Sequence, residues 1–439
     1  MENKTPNHEL SSLRCPVSLE DVDLFSPGAQ EHWYEAYPIL HREAPVLRIP
    51  DGGVTPGSDG FILTKYEDIA KVVRDPVRFP SGLTLAMEQI ATAGVPPEEQ
   101  RHTNAMLVSM FTLRPTDQLY RAHRQELTDP WVGPGASRHN AMIERHALDL
   151  IDQWIDRGEV EFIDEFARPL PQRVMASVLG FPQEDIPELA RWGNAQVLPF
   201  VHGRGHRGEL TEAQLDAQFE ELDGFREYVD DIVKRKRRQP EDDMISWLCD
   251  VHYDALDRKL TDMEINGIVY AMLIGGLETT QYALEEQAQM LCEHPPLLNE
   301  LDRDRDRIRG FCEEALRLRS PTQGLSSRTT TQDETFQGVH VPAGSLLHMR
   351  WAAGNVDPDE WECPYDFDID RKAVTRHLAF SQGPRVCPGA GISRQEQQIA
   401  WNCLLDRLGT LDYAPGNTFE HQPGIMLGTL KLNLKFTTK

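Results

Sequence analysis

Long apolar runs are missing from this sequence. The longest mostly apolar stretch, Gly267 to Leu277, is closed by Glu278. It falls well short of the roughly 20 residues that a membrane-spanning helix needs. An apolar leader is missing as well, since Met1 to Asp21 carries charges and a proline where a signal peptide has its hydrophobic stretch. A soluble, cytoplasmic protein without a membrane partner is the expectation. Positive charge is scarce: 45 Lys and Arg stand against 70 Asp and Glu, a formal net charge of −25. Phosphate affinity is built from Lys and Arg, so no nucleic-acid partner is expected, nor adhesion to an anionic membrane. The one basic run, Lys234 to Arg238, reads as a helix end that completes the helix dipole. Cysteine is sparse too. The seven positions (15, 249, 292, 312, 363, 387 and 403) include no two within four residues, so CxxC-type zinc spacing is excluded. Most are expected to be buried free thiols. No repeat or low-complexity linker marks a domain boundary.

What is present is material for a large core. The 439 residues are 40% hydrophobic and 26% charged, the composition of a folded globular chain. Strand signals sit at Val46-Leu47-Arg48-Ile49 and Phe61-Ile62-Leu63-Thr64, on either side of a turn-rich stretch. From about 140 to 318 apolar residues recur at helical spacing, as in Ala147, Leu150, Ile151, Ile155 and again Phe225, Val229, Ile232. Residues 320–350 turn irregular and β-like. A last helix is expected over about 389–408, and Leu430, Leu432 and Leu434 suggest a terminal strand. The fold class is therefore mainly α with small β-sheets near both ends of the chain.

One decapeptide carries chemistry, Phe380-Ser381-Gln382-Gly383-Pro384-Arg385-Val386-Cys387-Pro388-Gly389. Cys387 lies in a Gly/Pro-rich loop just ahead of a helix, where N–H donors and the helix dipole favour an anionic sulfur. A thiolate there is a soft ligand for iron. Arg385 is placed to pair with a carboxylate of the same cofactor, and Gly383 and Gly389 let the backbone approach a flat ring. Alone, the loop also reads as a buried cysteine in a turn. A second stretch, Gly275-Gly276-Leu277-Glu278-Thr279-Thr280, interrupts the long apolar segment 265–291. Two glycines in a buried helix cost roughly 1 kcal/mol each relative to alanine. They leave room beside the helix, and the acid and alcohol after them need partners or water. That pattern fits close helix packing, or a local helix opening that holds water and relays protons. The third stretch, Glu314-Ala315-Leu316-Arg317, is an i,i+3 ion pair of a kind that is usually solvated.

Taken in order, F-x-x-G-x-R-x-C-x-G, G-G-x-E-T-T and E-x-x-R resemble the cytochrome P450 superfamily of heme-thiolate monooxygenases, over roughly residues 30 to 436. Asn355-Val356-Asp357-Pro358, the stretch from Pro364 to Arg371, and His294-Pro295 support the match. The short N-terminus is similar to that of the bacterial members. The resemblance implies a P450 fold: an N-terminal extension over 1–29 and a single heme domain over 30–439. It implies heme b (iron protoporphyrin IX) as cofactor and Cys387 as the iron ligand, whose electron donation favours O–O cleavage. Glu278 and Thr279 would be the acid–alcohol pair that steers protons, with Thr280 secondary. Gly275 and Gly276 would line the oxygen pocket. Glu314, Arg317 and Arg371 would form a buried ion network behind the cysteine loop. Arg385, Arg328 and Arg124 would contact the heme propionates, with Gly389 beside the ring. Near Arg124 the sequence departs from the family's H-x-x-x-R, because Tyr120 stands at the histidine position, with His123 as a possible substitute. A further departure is Pro388, which follows the ligand and has no N–H to offer its sulfur.

The implied reaction is reductive activation of O2 followed by insertion of one oxygen atom into a small hydrophobic substrate, as hydroxylation or oxidative dealkylation. The heme domain takes up the chain from about residue 30, so both electrons would come from outside, through a ferredoxin-type donor and its NAD(P)H-dependent reductase. The donor would dock on the face of Arg385 and Arg394. The substrate pocket would be lined from the 80–112 loop, Ala271, Ile274, Gln323, Gly324, Ile425 and Met426, with Gln323 as a polar handle. His202 to Arg207 would lie over its entrance. Two other readings compete with this one: a peroxide-using heme-thiolate enzyme, disfavoured by the retained Glu278-Thr279 pair, and a non-catalytic heme sensor.

Overall fold

A computed structural model describes residues 14–439 apart from 27, 54–56, 82–103, 202–209 and 325–326, and the side chains of 199–201. The segment His202 to Arg207 and most of the 80–112 loop lie outside the described residues. The end of that loop is helical, from Ala105 to Leu113, and packs against the helix Asp262–Gly276.

Helices dominate, and their ends follow the local sequence. Glu212–Arg238 and Asp262–Gly276 both begin with capping boxes. In the second, the Thr261 N–H donates to Glu264 at 2.8 Å and the Glu264 N–H donates to Thr261 Oγ1 at 3.3 Å. The basic run does close the first of these helices. It is no free patch, however. Lys236 is buried against Asp243 at 2.5 Å, and Arg237 bonds Asp262 and the carbonyls of Cys249 and Leu260.

Of the two readings of the double glycine, the helix opening is present. One helix ends at Gly276 and the next runs Thr279–Glu293, with Leu277 and Glu278 between them. The second of the pair departs from the apolar expectation. Every residue from Thr280 to Cys292 is buried, including Gln281, Glu285, Glu286, Gln287 and Gln289. Some of these polar groups bond within the helix, as Gln281 to Glu285, and others across helices. Thr280 donates to Ser393 at 3.0 Å, and Gln287 joins Gln397 and Trp401 at 2.6 Å each. The central helix is thereby tied to Ala390–Arg407, the helix that follows the cysteine loop.

Strands form at Val46–Ile49 and Gly60–Leu63 as expected, but the sheets are not local to the chain ends. The four-stranded sheet orders Val46–Ile49, Gly60–Leu63, Leu346–Met349 and Ser327–Thr329. Its third strand pairs parallel to the second, Gly60 opposite Leu346. The three-stranded sheet joins Leu408–Tyr413 and Asn433–Thr438 to Glu159–Glu161. The terminal strand starts at Asn433, beyond Leu430 and Leu432. These two sheets thus gather distant segments, because short strands cannot bury an apolar face alone.

Candidate active site

Cys387 sits where three elements meet. Its N–H donates to Phe380 O at 2.9 Å, which closes the loop on itself. Gly383 has φ +72°, and a Cβ there would lie 2.8 Å from Val73 O, so the loop can seat on the helix Tyr66–Arg74 only with glycine. Cys387 is half-buried, and desolvation of its sulfur pushes the thiol above the usual range. The N–H groups of Gly389 and Ala390 and the cations Arg124 and Arg394 pull the other way. Burial prevails in the protein by itself, and a bound metal ion would reverse that balance.

Around this loop lies a cluster of cations with too few anions. Arg328 is buried, pairs with no carboxylate among the described residues, and has its charge disfavoured to about 10 by burial and by Arg385. Its guanidinium donates to the Ser327 carbonyl at 2.9 Å. Arg114 is likewise lowered to about 10 by burial, with Arg385 and Arg124 adding repulsion, and its buried Nε has no partner among the described residues. His123 is buried with both ring nitrogens unpartnered among the described residues, and burial pushes it well below the usual range. Arg385 lies 3.8 Å over the Tyr120 ring and 3.2 Å from Asp117, and Arg114 lies over the same ring at 5.1 Å. Arg124 is engaged with protein, donating to Asp129 at 3.0 Å and to Val386 O at 2.6 Å. Buried like charges with unmet donors are expensive unless a counter-ion joins them. A cofactor bearing carboxylates fits this donor set. Arg114 was not singled out in the sequence, where it stands as one arginine beside Pro115.

Behind the loop two further networks are closed. Arg317 donates to both Glu314 oxygens (2.7 and 2.8 Å) and to the carbonyls of Asn355, Pro364 and Asp366. Arg371 donates to Glu314 at 3.0 Å. The Glu314–Arg317 pair is fully buried, so it is no solvated helix pair. Beside it Glu313 accepts from Arg394 at 2.5 Å and meets His377 at 3.0 Å. Burial opposes ionisation of Glu313, but these two partners prevail and hold it down to about 2. Arg394 also lies 4.5 Å over the ring of Phe380. This second network went unread in the sequence.

On the other side, at the helix break, the Thr279 hydroxyl donates to Gly275 O at 2.9 Å, an orphan carbonyl at a helix end. Glu278 is pushed up from the ordinary carboxylate range by burial, against a hydrogen bond from Tyr282 at 3.2 Å and the charge of Arg168. Gly275 opens on free space, whereas a Cβ on Gly276 would strike Met175 Sδ at 2.7 Å. The room at the break belongs to Gly275, and Gly276 serves packing, contrary to the expectation that both face one pocket.

Ala271 and Ile274 lie half-buried on the same helix as Gly275. Ile425 and Met426 pack on Tyr282, and the chain brings them to residues 321–324 through Gln323 N–H to Ile425 O at 2.9 Å. Gln323 itself corrects the expectation of a polar handle. Its side chain is fully buried, accepting from Tyr37 at 2.6 Å and donating to Ser320 O at 2.8 Å. Both ends of the amide are consumed inside the fold. Gly324 is pressed on Met349, where a Cβ would meet the carbonyl at 2.8 Å.

The family model described as Cytochrome P450 matches residues 212–436. Cytochrome P450 107B1 of Saccharopolyspora erythraea is 30% identical over 374 residues, 85% of this chain and 87% of that protein. The 6-deoxyerythronolide B hydroxylase of the same organism is 27% identical, covering 89% of this chain and 92% of the relative. Among solved structures, P450BioI in complex with an acyl carrier protein ligated to hexadec-9Z-enoic acid superposes with a TM-score of 0.78 at 25% identity, over 93% of this chain and 99% of that one.

Proposed function

Because this chain belongs to the cytochrome P450 family, we propose that Cys387 is the ligand of its heme iron and that Glu278 and Thr279 manage protons on the opposite side of the ring. The protein is an oxidoreductase, a heme-thiolate monooxygenase with heme b as cofactor. Heme, when bound, supplies the iron at which O2 is reduced by two delivered electrons and one oxygen atom is passed to substrate. One observation carries the assignment of residues: two cations beside the cysteine loop, the buried Arg328 and the half-buried Arg114, meet no carboxylate among the described residues.

In this reading Arg328, Arg385 and Arg114 take the carboxylates of the cofactor, with Arg124 steadying the loop at Val386 and Gly389 offering its N–H to the sulfur. Glu278, whose carboxyl burial pushes up from the ordinary range, stands one residue from the Thr279 hydroxyl and is placed to exchange a proton there. The hydroxyl gives its own proton to Gly275 O, which leaves its oxygen lone pairs free to accept. Gly275 supplies the space. The Glu314–Arg317–Arg371 network fixes the chain behind the loop.

Substrate is hydrophobic. With Gln323 turned away, Ala271, Ile274, Ile425 and Met426 offer an apolar surface, which suits a small hydrophobic molecule for hydroxylation or oxidative dealkylation. Electrons come from a partner protein, for which a ferredoxin with its NAD(P)H-dependent reductase is our reading. A groove lined by Arg74, Arg376 and Arg394 next to Phe380 and Val386 supports docking of an acidic carrier there, since long-range attraction requires opposite charge. No helix among the described residues is long and apolar enough to cross a membrane, and a cytoplasmic location belongs to this proposal. So does one heme domain over 30–439. Tyr37 in the helix Trp33–Glu43 bonds Gln323 and Arg350 across the molecule, while Leu24, within the proposed extension, is buried beneath Trp33.

The test is the spectrum of the reduced protein with carbon monoxide. The thiolate-ligated Soret band is expected for the native protein and its loss for Cys387→Ser. A band typical of histidine ligation in the native protein, or an unchanged spectrum in the variant, overturns the assignment.

A further inference from the structure

Tyr282 lies one helical turn after Glu278, so both side chains share a face of the helix. Its hydroxyl donates to Glu278 Oε2 at 3.2 Å and accepts from Gln422 Nε2 at 2.6 Å. The ring is clamped by the chain segment that carries Gln422. A Cβ on Gly428 would fall 2.4 Å from Tyr282 Cε1, so the backbone at Gly428 lies flat on the ring and accepts no larger residue. Ile425 and Met426 pack on the same ring. The turn is itself held, by Gln422 N–H to Gly428 O at 2.9 Å and by Leu427 N–H to Pro321 O at 2.8 Å. Thus the hydroxyl that reaches Glu278 is fixed by two bonds and by packing, and it belongs to neither the cysteine loop nor the cation cluster.

We propose that Tyr282, anchored by the 422–428 turn, is a positioning residue that holds the Glu278 carboxyl in place for its work beside Thr279. The inference rests on the reading of Glu278 given above and adds to it the residue that orients the acid. A donor to a carboxylate favours the ionised form and opposes the effect of burial. Glu278 therefore stays closer to the ordinary range with Tyr282 present than without it. Among the described residues, the other charged groups in reach are few. Arg168, paired with Asp164, acts on Glu278 from the start of the helix Pro169–Leu179. Glu285 acts on Tyr282 from one turn further along and is itself bonded to Gln281 and to the N–H of Thr429. Neither touches the Glu278 carboxyl.

The experiment follows the C=O stretch of protonated Glu278 against pH in the ferric holoenzyme by difference infrared spectroscopy, with Glu278→Gln to assign the band. Product formed per O2 consumed is measured across the same pH range. Tyr282→Phe keeps the ring and the packing and removes only the hydroxyl. We expect its Glu278 midpoint to rise by about one pH unit, the worth of one hydrogen bond to a charged group, and the pH profile of coupling to move with it. An unchanged midpoint in Tyr282→Phe, with a band that Glu278→Gln abolishes, overturns the role of Tyr282 and leaves that of Glu278 standing. Coupling in Glu278→Gln equal to that of the native enzyme overturns the reading of Glu278 and this inference with it. The carbon monoxide spectrum of each variant reports that the thiolate site is intact.

Discussion

Arg317 and Arg328 are both buried, and their surroundings are opposite. Arg317 directs its N–H groups at five acceptors, two on Glu314 and three on the backbone at Asn355, Pro364 and Asp366. Arg328 has a backbone carbonyl, faces Arg385 and is joined by Arg114 and the unpartnered ring of His123. The same side chain is closed off by protein in one place and left open in the other. A closed buried charge is part of the fold, and removing one partner strands the other. An open one weakens the fold until something else answers it. The difference separates scaffold from the proposed cofactor cradle without reference to any motif.

The largest effect should come from breaking the closed cluster. Glu314→Ala leaves Arg317 and Arg371 buried without their carboxylate, and we expect about 3–5 kcal/mol of lost stability, read from the denaturant midpoint. A loss under about 1 kcal/mol, the size found for exposed pairs, would place the network on the level of surface salt bridges. Next in size is Glu313. Its folded carboxyl lies near 2 against an ordinary 4.5. The unfolded chain therefore takes up the proton first, and stability falls as pH drops from about 4.5 towards 2. Glu313→Gln should flatten that acid slope and cost about 3 kcal/mol at neutral pH. A slope that persists in the variant would move the acid sensitivity elsewhere.

The open cluster should respond in the other sense. Arg328→Leu removes a repelled charge, so the heme-free protein should unfold no more easily than before. Heme retention, followed by transfer to apomyoglobin, should weaken roughly tenfold, for the loss of one charge-assisted bond. Lost stability of the heme-free form with unchanged heme retention would place Arg328 in the scaffold and erase the contrast with Arg317.

How much of this could be read from sequence depends on how far apart the partners lie. The cysteine loop and Glu314–Arg317 are local, and their chemistry is contained in a decapeptide and a helical turn. The strands Val46–Ile49 and Gly60–Leu63 were legible for the same reason, while their sheet neighbours near Leu346 and Ser327 were not. Glu313 sits beside a recognised residue, but its partners Arg394 and His377 come from two other segments. Gln323 looked free to face a ligand because the sequence does not announce its bonds: its N–H turns back to Ser320 O, and its carbonyl is taken by Tyr37 from the helix Trp33–Glu43. Gly276 looked equivalent to Gly275 until Met175 filled its side. In each case the hidden term is a contact across the fold, which periodicity and composition do not carry.

The smallest expected effect sharpens the comparison at the sulfur, which is an anion in the same region once a metal is bound. Two backbone donors, Gly389 and Ala390, and two cations, Arg124 and Arg394, already bear on Cys387. Pro388 stands next to the proposed ligand, Cys387, and contributes no N–H. Each hydrogen bond to a ligating thiolate withdraws charge from it, so a sulfur with one donor fewer gives more to iron and lowers the reduction potential. Pro388→Leu restores an N–H at a position outside the following helix, which begins at Ala390, and so leaves the scaffold alone. The potential of the heme iron should rise, by a modest amount because four groups already share the charge. If it stays where it was, the N–H at 388 does not reach the sulfur, and the charge on Cys387 is answered by Gly389, Ala390, Arg124 and Arg394 alone.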